Sequence, residues 1–131
     1  MLNILIVDDD PNVVWGLSKQ LDSMGYRSLF LFESNYLLEM LEQRHVDLIL
    51  LDLCMPGVDV PHLIKTLKSH SHYRNIPIIM LSDRDDQSLI DCIELGALDF
   101  INKPVKKEHL QARMKLITNP ANPAAIRPRT C

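Results

Sequence analysis

Leu2-Asn3-Ile4-Leu5-Ile6-Val7, followed at once by Asp8-Asp9-Asp10-Pro11, is the stretch whose reading decides the fold. Five of the first six residues are apolar and three are β-branched. That run reads as a short strand covered on both faces, because a half-exposed strand would alternate polar and apolar residues. Asp10-Pro11 then opens a helix, with proline at the first helical position, where no intrahelical N–H is needed. Val13, Val14, Leu17, Leu21 and Met24 recur at helical spacing, and Gly25 is the stop.

The same strand–helix unit recurs outward along the chain. Residues 27–32 read as a second strand, and Ser34 can cap a helix carrying Leu37, Leu38 and Leu41. Residues 46–51 are a third strand, nearly all apolar after Asp47. Met55-Pro56-Gly57 must be a loop. Asp59 can cap a third helix carrying Leu63, Ile64 and Leu67. Residues 76–81 form a fourth strand. Asp85 or Asp86 starts a helix with Leu89, Ile90 and Ile93, closed by Gly96. Residues 99–101 are a short fifth strand, and residues 106–117 a last helix with Leu110, Met114 and Ile117 inward. Strands without polar alternation, separated by helices, predict an α/β domain: a five-stranded parallel sheet, doubly wound, with helices on both faces. Residues 1–118 make up this domain. Residues 119–131 contain Pro120, Pro123 and Pro128 and no apolar period, so they read as a disordered Pro-rich tail or linker.

Composition narrows the function. The chain has 131 residues, enough for one domain with a real core, and a net charge of −3. That balance gives no electrostatic case for nucleic acid or an anionic membrane. No segment reads as a signal peptide or a membrane span. Cys54, Cys92 and Cys131 lack CxxC spacing, which fits a reducing cytoplasm better than a disulfide or zinc framework. Of the 17 acids, 12 are Asp, a poor interior helix former, so turns, caps and a carboxylate site must absorb them.

In a parallel α/β sheet the ligand site lies outside the carboxyl ends of the strands. Strand one ends at Asp8-Asp9-Asp10, strand three at Asp52, strand four at Ser82 and strand five at Asn102-Lys103-Pro104. Carboxylates, a hydroxyl and a lysine therefore face one crevice. Two carboxylates about 4 Å apart repel by roughly 4 kcal/mol at an effective dielectric near 20. They share a site only if one is protonated or a cation sits between them. A hard divalent ion such as Mg²⁺ suits such oxygens. A metal, a lysine and a hydroxyl are together the parts that stabilise a transferring phosphoryl group, and Asp is a nucleophile that can carry it.

Ile6-Val7-Asp8-Asp9-Asp10, Leu50-Leu51-Asp52-Leu53-Cys54-Met55-Pro56-Gly57, Met80-Leu81-Ser82 and Gly96-Ala97-Leu98-Asp99-Phe100-Ile101-Asn102-Lys103-Pro104 stand in one order over residues 2 to about 117. That set resembles the receiver (phosphoacceptor) domain of bacterial two-component response regulators, a flavodoxin-like (βα)5 fold. The resemblance implies that Asp52 accepts a phosphoryl group from a histidine kinase or phosphotransfer protein. Asp9 and Asp52 would bind Mg²⁺ directly, with the backbone carbonyl of Cys54, and Asp8 mostly through water. Lys103 would contact the phosphoryl oxygens and Ser82 would hydrogen-bond them. Phe100 would be the switch aromatic, and the Lys103–Pro104 bond would be cis. The family's usual output and homodimer face is built on the fourth helix, fifth strand and fifth helix. Asp99 and Arg113 match an ionic pair of that face, and Leu89 and His109 stand where another charged pair is common.

The sequence departs from the family pattern at two positions. Val60 stands eight residues after Asp52, where glycine is usual, and Asp83 follows Ser82, where a small residue is usual. One rival reading is a degenerate receiver, binding proteins without phosphorylation; Asp83 weakly favours it, and intact Asp9, Asp52, Ser82 and Lys103 oppose it. Another is an aspartyl-phosphate phosphatase, which would want Asp where Cys54 stands. A dinucleotide enzyme is disfavoured because no GxGxxG follows the first strand. The expected role is a switch rather than an enzyme, with no direct nucleic-acid or membrane contact.

Overall fold

A computed structural model describes residues 1–83, 87–123, 125 and 126. Five strands, β1 (Asn3–Val7), β2 (Arg27–Leu31), β3 (Leu48–Asp52), β4 (Ile78–Ser82) and β5 (Asp99–Asn102), form one parallel sheet in the order β2-β1-β3-β4-β5. The helices are α1 (Pro11–Ser23), α2 (Leu37–Gln43), α3 (Val60–Ser69), α4 (Gln87–Glu94) and α5 (Lys107–Thr118).

The pleat explains why near-continuous apolar strands are needed. Leu5 and Val7 point to one side of the sheet, where Leu37, Leu41, Ile64, Leu67, Leu89 and Cys92 of α2, α3 and α4 pack. Ile4 and Ile6 point to the other side, against Val14, Leu17 and Leu21 of α1 and Leu110, Met114 and Ile117 of α5. Every residue of β3 and β4 is buried.

The caps fix how the chain leaves each strand. Asp10 Oδ1 accepts from the Asn12 N–H at 2.9 Å, and Asp59 Oδ1 accepts from the His62 N–H at 3.1 Å. Val60 is the first residue of α3 and is buried in the core, so the helix starts where the sequence places it. Gly25, with φ of 88°, ends the turn after α1, a conformation open to glycine.

Three sequence expectations need correction. Ser34 does not cap α2; it begins a short 3₁₀ turn, Ser34–Tyr36, and α2 starts at Leu37 without a side-chain cap. Leu38 is exposed, because that extra turn rotates the apolar stripe onto Leu37 and Leu41. On α4 the inward residues are Leu89 and Cys92, while Ile90 and Ile93 face outward. The expected helix starts at Asp85 or Asp86 lie outside the described residues, as does Cys131. Past Thr118, Asn122 Nδ2 donates to the Leu116 carbonyl at 2.7 Å and the Ile126 N–H to the Ile117 carbonyl at 2.8 Å, and Ile126 packs on the α1–α5 side of the core.

Candidate functional site

All four predicted strand ends meet at one rim. Asp8 immediately follows β1, and Asp52 is the last residue of β3; both are buried. Ser82, also buried, ends β4 and pairs in register with Asn102, the residue before Lys103. The Lys103 N–H donates to the Ser82 carbonyl at 2.7 Å, which ties the lysine loop to β4. The Lys103–Pro104 peptide is cis.

The lysine side chain crosses the crevice. Its Nζ lies 2.8 Å from Asp8 Oδ2 and 2.9 Å from Asp52 Oδ1. Asp52 Oδ1 also accepts from the Cys54 N–H at 3.2 Å, and Asp8 Oδ1 from the Asp10 N–H at 2.9 Å. Asp9 is exposed at the mouth, and each of Asp8, Asp9 and Asp52 offers an oxygen within 4.8 Å of the others. The cation that lets buried carboxylates share this site is thus Lys103 itself. It pairs directly with Asp8, a contact the sequence does not reveal, because nothing in it orders the first two acids of the Asp8-Asp9-Asp10 run by depth.

The electrostatics remain unbalanced. Burial pushes the Asp52 carboxyl above the usual carboxylate range; the hydrogen bond from Lys103 pulls it down, and the Asp8 charge pushes it up again. Burial works against the Lys103 ammonium, but its contacts with Asp8 and Asp52 outweigh that and hold its pKa above the ordinary lysine value. Among the described residues, three carboxylates face one ammonium. The donors are hard oxygens, one exposed and two buried, and the set fits a divalent cation such as Mg²⁺.

Two clefts flank the rim. One, of about 390 Å³, runs from Asp9 past Phe32 to Met55 and Val58. The other, of about 250 Å³, lies between Asn12, Gly16 and Gln20 of α1 and Pro104-Val105.

The profile of the response regulator receiver domain matches residues 4–115. The chain belongs to that family. It is 32% identical over 124 residues to the phosphate regulon transcriptional regulatory protein PhoB of Escherichia coli, covering 94% of this chain and 54% of that protein. The chain therefore spans about half the length of the curated relatives it matches. The signal receiver domain of a histidine kinase from Syntrophus aciditrophicus superposes with a TM-score of 0.82 at 30% identity, covering 100% of this chain and 98% of that one. The receiver domain of a sensor histidine kinase from Pseudomonas aeruginosa superposes with a TM-score of 0.77 at 27% identity, covering 87% and 94%, and holds a magnesium ion in its active-site cleft.

Receiver domains are regulatory switches of two-component systems that interact with histidine kinases or phosphotransfer proteins, and they bind Mg²⁺ in their acidic pocket. In this receiver domain Phe100 lies on β5, half-buried against the side of the core that carries α3 and α4. Asp99 and Arg113 form an ion pair within the chain, Oδ2 to Nε 3.4 Å. Leu89 is buried, so it cannot stand in a surface pair with exposed His109; the periodicity of α4 turns it into the core. Asp83 is exposed next to Ser82. Cys54 is exposed. Among the described residues no helix is long and apolar enough to cross a membrane.

Proposed function

We propose that this receiver domain accepts a phosphoryl group on Asp52 from a phosphohistidine of a partner kinase or phosphotransfer protein in the cytoplasm. The observation that carries the reading is the convergence on Asp52 of a lysine at 2.9 Å, a backbone N–H at 3.2 Å and two further carboxylates. Such a site is short of positive charge; a divalent cation would supply it and would offset the negative charge that a phosphoryl group brings.

Asp9, Asp52 and the Cys54 carbonyl would hold Mg²⁺, with Asp8 acting through water. The ion, when bound, neutralises charge on the phosphoryl oxygens. An Asp52 carboxylate oxygen attacks phosphorus, the bond from phosphorus to the donor imidazole nitrogen breaks, and the imidazole leaves with the electron pair. Lys103 shifts from its carboxylate partners to the phosphoryl oxygens. Ser82 hydrogen-bonds them, and Phe100 turns inward behind it. Residues 1–118 form the phosphoacceptor unit, and residues 119–131 serve as a Pro-rich tail or linker to it. A face around Asp99 and Arg113 serves output or homodimer contacts.

The test is incubation with Mg²⁺ and acetyl phosphate, followed by intact mass. The wild type gains one phosphoryl group and Asp52→Asn gains none. Equal gain in both overturns the assignment, and no gain in either favours the degenerate receiver.

A further inference from the structure

Lys103 reaches the rim from a lightly held loop. β5 ends at Asn102 and α5 begins at Lys107. Pro104 brings no N–H to the connection, and α5 starts at Lys106 without a side-chain cap. Among the described residues, two hydrogen bonds tie the backbone of residues 103–105 to the rest of the domain. On the β4 side the Lys103 N–H donates to the Ser82 carbonyl at 2.7 Å, and on the α1 side Gln20 Nε2 donates to the Val105 carbonyl at 3.2 Å. The Val105 side chain packs on the α1–α5 side of the core. Beside it the cleft of about 250 Å³ opens between α1 and Pro104. Gly16 does nothing to close that cleft, and a Cβ there would meet nothing within 4 Å.

Gln20 is placed at a cost. A carbonyl can only accept, so its bond to Val105 fixes which end of the amide is which. The other end, Oε1, is buried, and no described protein group donates to it. A buried acceptor without a donor is destabilising, so an apolar side chain of the same length would suit this part of α1 at least as well. What such a side chain could not do is hold the Val105 carbonyl.

We propose that Gln20 is a positioning residue for Lys103: by gripping the Val105 carbonyl it holds the loop from which the lysine reaches Asp8 and Asp52. The proposal rests on the reading of Asp52 as phosphoacceptor. Lys103 Nζ sits 2.8 Å from Asp8 Oδ2 and 2.9 Å from Asp52 Oδ1, and its shift to the phosphoryl oxygens requires its backbone to stay in place. A site of this kind works only when held to about 0.5 Å by the groups around it. Gln20 touches neither the carboxylates nor the phosphoryl group, and it acts through the loop alone.

The test is the rate of phosphorylation by acetyl phosphate at saturating Mg²⁺, followed by intact mass. Gln20→Met should slow it by roughly tenfold, less than the hundredfold that a misplacement of about 1 Å can cost. Its melting temperature should be unchanged or higher, and its response to Mg²⁺ unchanged, which a purely structural role for Gln20 would not give. Gly16→Ala fills part of the same cleft but keeps the tether, and its rate should match the wild type. On a Lys103→Ala background Gln20→Met should slow the reaction no further. A Gln20→Met rate equal to that of the wild type overturns the proposal, as does an equal slowing in Gly16→Ala or a full slowing on top of Lys103→Ala. If the wild type takes up no phosphoryl group, the reading of Asp52 fails separately. Amide exchange at Lys103 then decides the tether, and it decides it also if Lys103→Ala does not fold. That exchange should be several-fold faster in Gln20→Met, and an unchanged rate overturns the proposal.

Discussion

Strand β3 runs between two buried aspartates that live under opposite conditions. Asp47, just before it, is satisfied on both oxygens: Oδ2 accepts from the Asn3 N–H at 2.8 Å and Oδ1 lies 2.8 Å from His45 Nε2. Asn3 Nδ2 closes the loop on the His45 carbonyl at 2.7 Å. Asp52, at the other end, shares one lysine with Asp8 and has Asp9 within reach. The first carboxylate fastens β1 to the start of β3. The second is kept short of positive charge, which stabilises nothing by itself and leaves a place for a cation and an anion to bind. Equal burial therefore says little about role; the balance of partners does.

The sharpest way to break the comparison is to remove Lys103, the one cation paired with Asp8 and Asp52 among the described residues. Lys103→Met leaves Asp8 and Asp52 buried without their ammonium, and breaking a buried pair in this way costs about 3 kcal/mol. Chemical denaturation should show that loss, and adding Asp52→Asn should recover part of it. Both pKa shifts carry a sign. Lys103 is raised, so its stabilisation is present below the ordinary lysine value of 10.5 and is lost as pH rises through the folded value. Asp52 is also raised, so its favourable contribution is present below 3.8 and is lost as pH rises through the folded value. Without divalent ions, Asp52→Asn should thus gain on the wild type as pH climbs out of the acid range. A flat difference between the two from pH 3 to pH 7 would contradict the strained carboxylate.

Next in size is the effect of Mg²⁺. A ligand that binds only the folded state adds about 2.7 kcal/mol at a hundredfold excess over its Kd. Melting temperature should rise with Mg²⁺ in the wild type and in Asp47→Ala, and the rise should largely vanish in Asp9→Ala. Equal shifts in all three would remove Asp9 from the metal site. Asp47→Ala itself removes the acceptor from a backbone N–H and should cost about 1–2 kcal/mol, with phosphoryl uptake unchanged. A loss of uptake there would mean that the two ends of β3 are coupled rather than separate.

How much of this was legible in the sequence follows from what each element buries. Strands β1, β3 and β4 were readable because both of their faces are covered, so their apolar runs had no competing explanation. The rim was readable because a parallel sheet forces strand ends together, which brings Asp8, Asp52, Ser82 and Lys103 to one edge. The start of α2 was not, since a 3₁₀ turn at Ser34 costs no apolar contact and leaves no pattern. The inward face of α4 was obscured because Leu89, Ile90, Cys92 and Ile93 are all apolar, and only packing selects two of them. The Asn3–His45–Asp47 fastening escaped as well, since its three residues are brought together by strand register.

The smallest effect is expected at Asp83, and it bears on why the rim admits a phosphodonor at all. This residue follows Ser82 directly and is exposed, so its charge acts on an incoming phosphate through water rather than through protein. Two unit charges about 7 Å apart in water interact by roughly 0.6 kcal/mol, and a dianionic donor doubles that before salt screening. Asp83→Ala should therefore speed phosphorylation of Asp52 by acetyl phosphate by about two- to sevenfold at low ionic strength. The gain should shrink as salt is added. Asp83→Asn removes the charge but keeps the bulk, so it should match Asp83→Ala if charge alone is responsible, and fall short of it if the side chain also obstructs the mouth. A rate unchanged within error in both variants at low salt would leave Asp83 as a solvated surface acid, and the excess negative charge at the rim would then reside wholly in Asp8, Asp9 and Asp52.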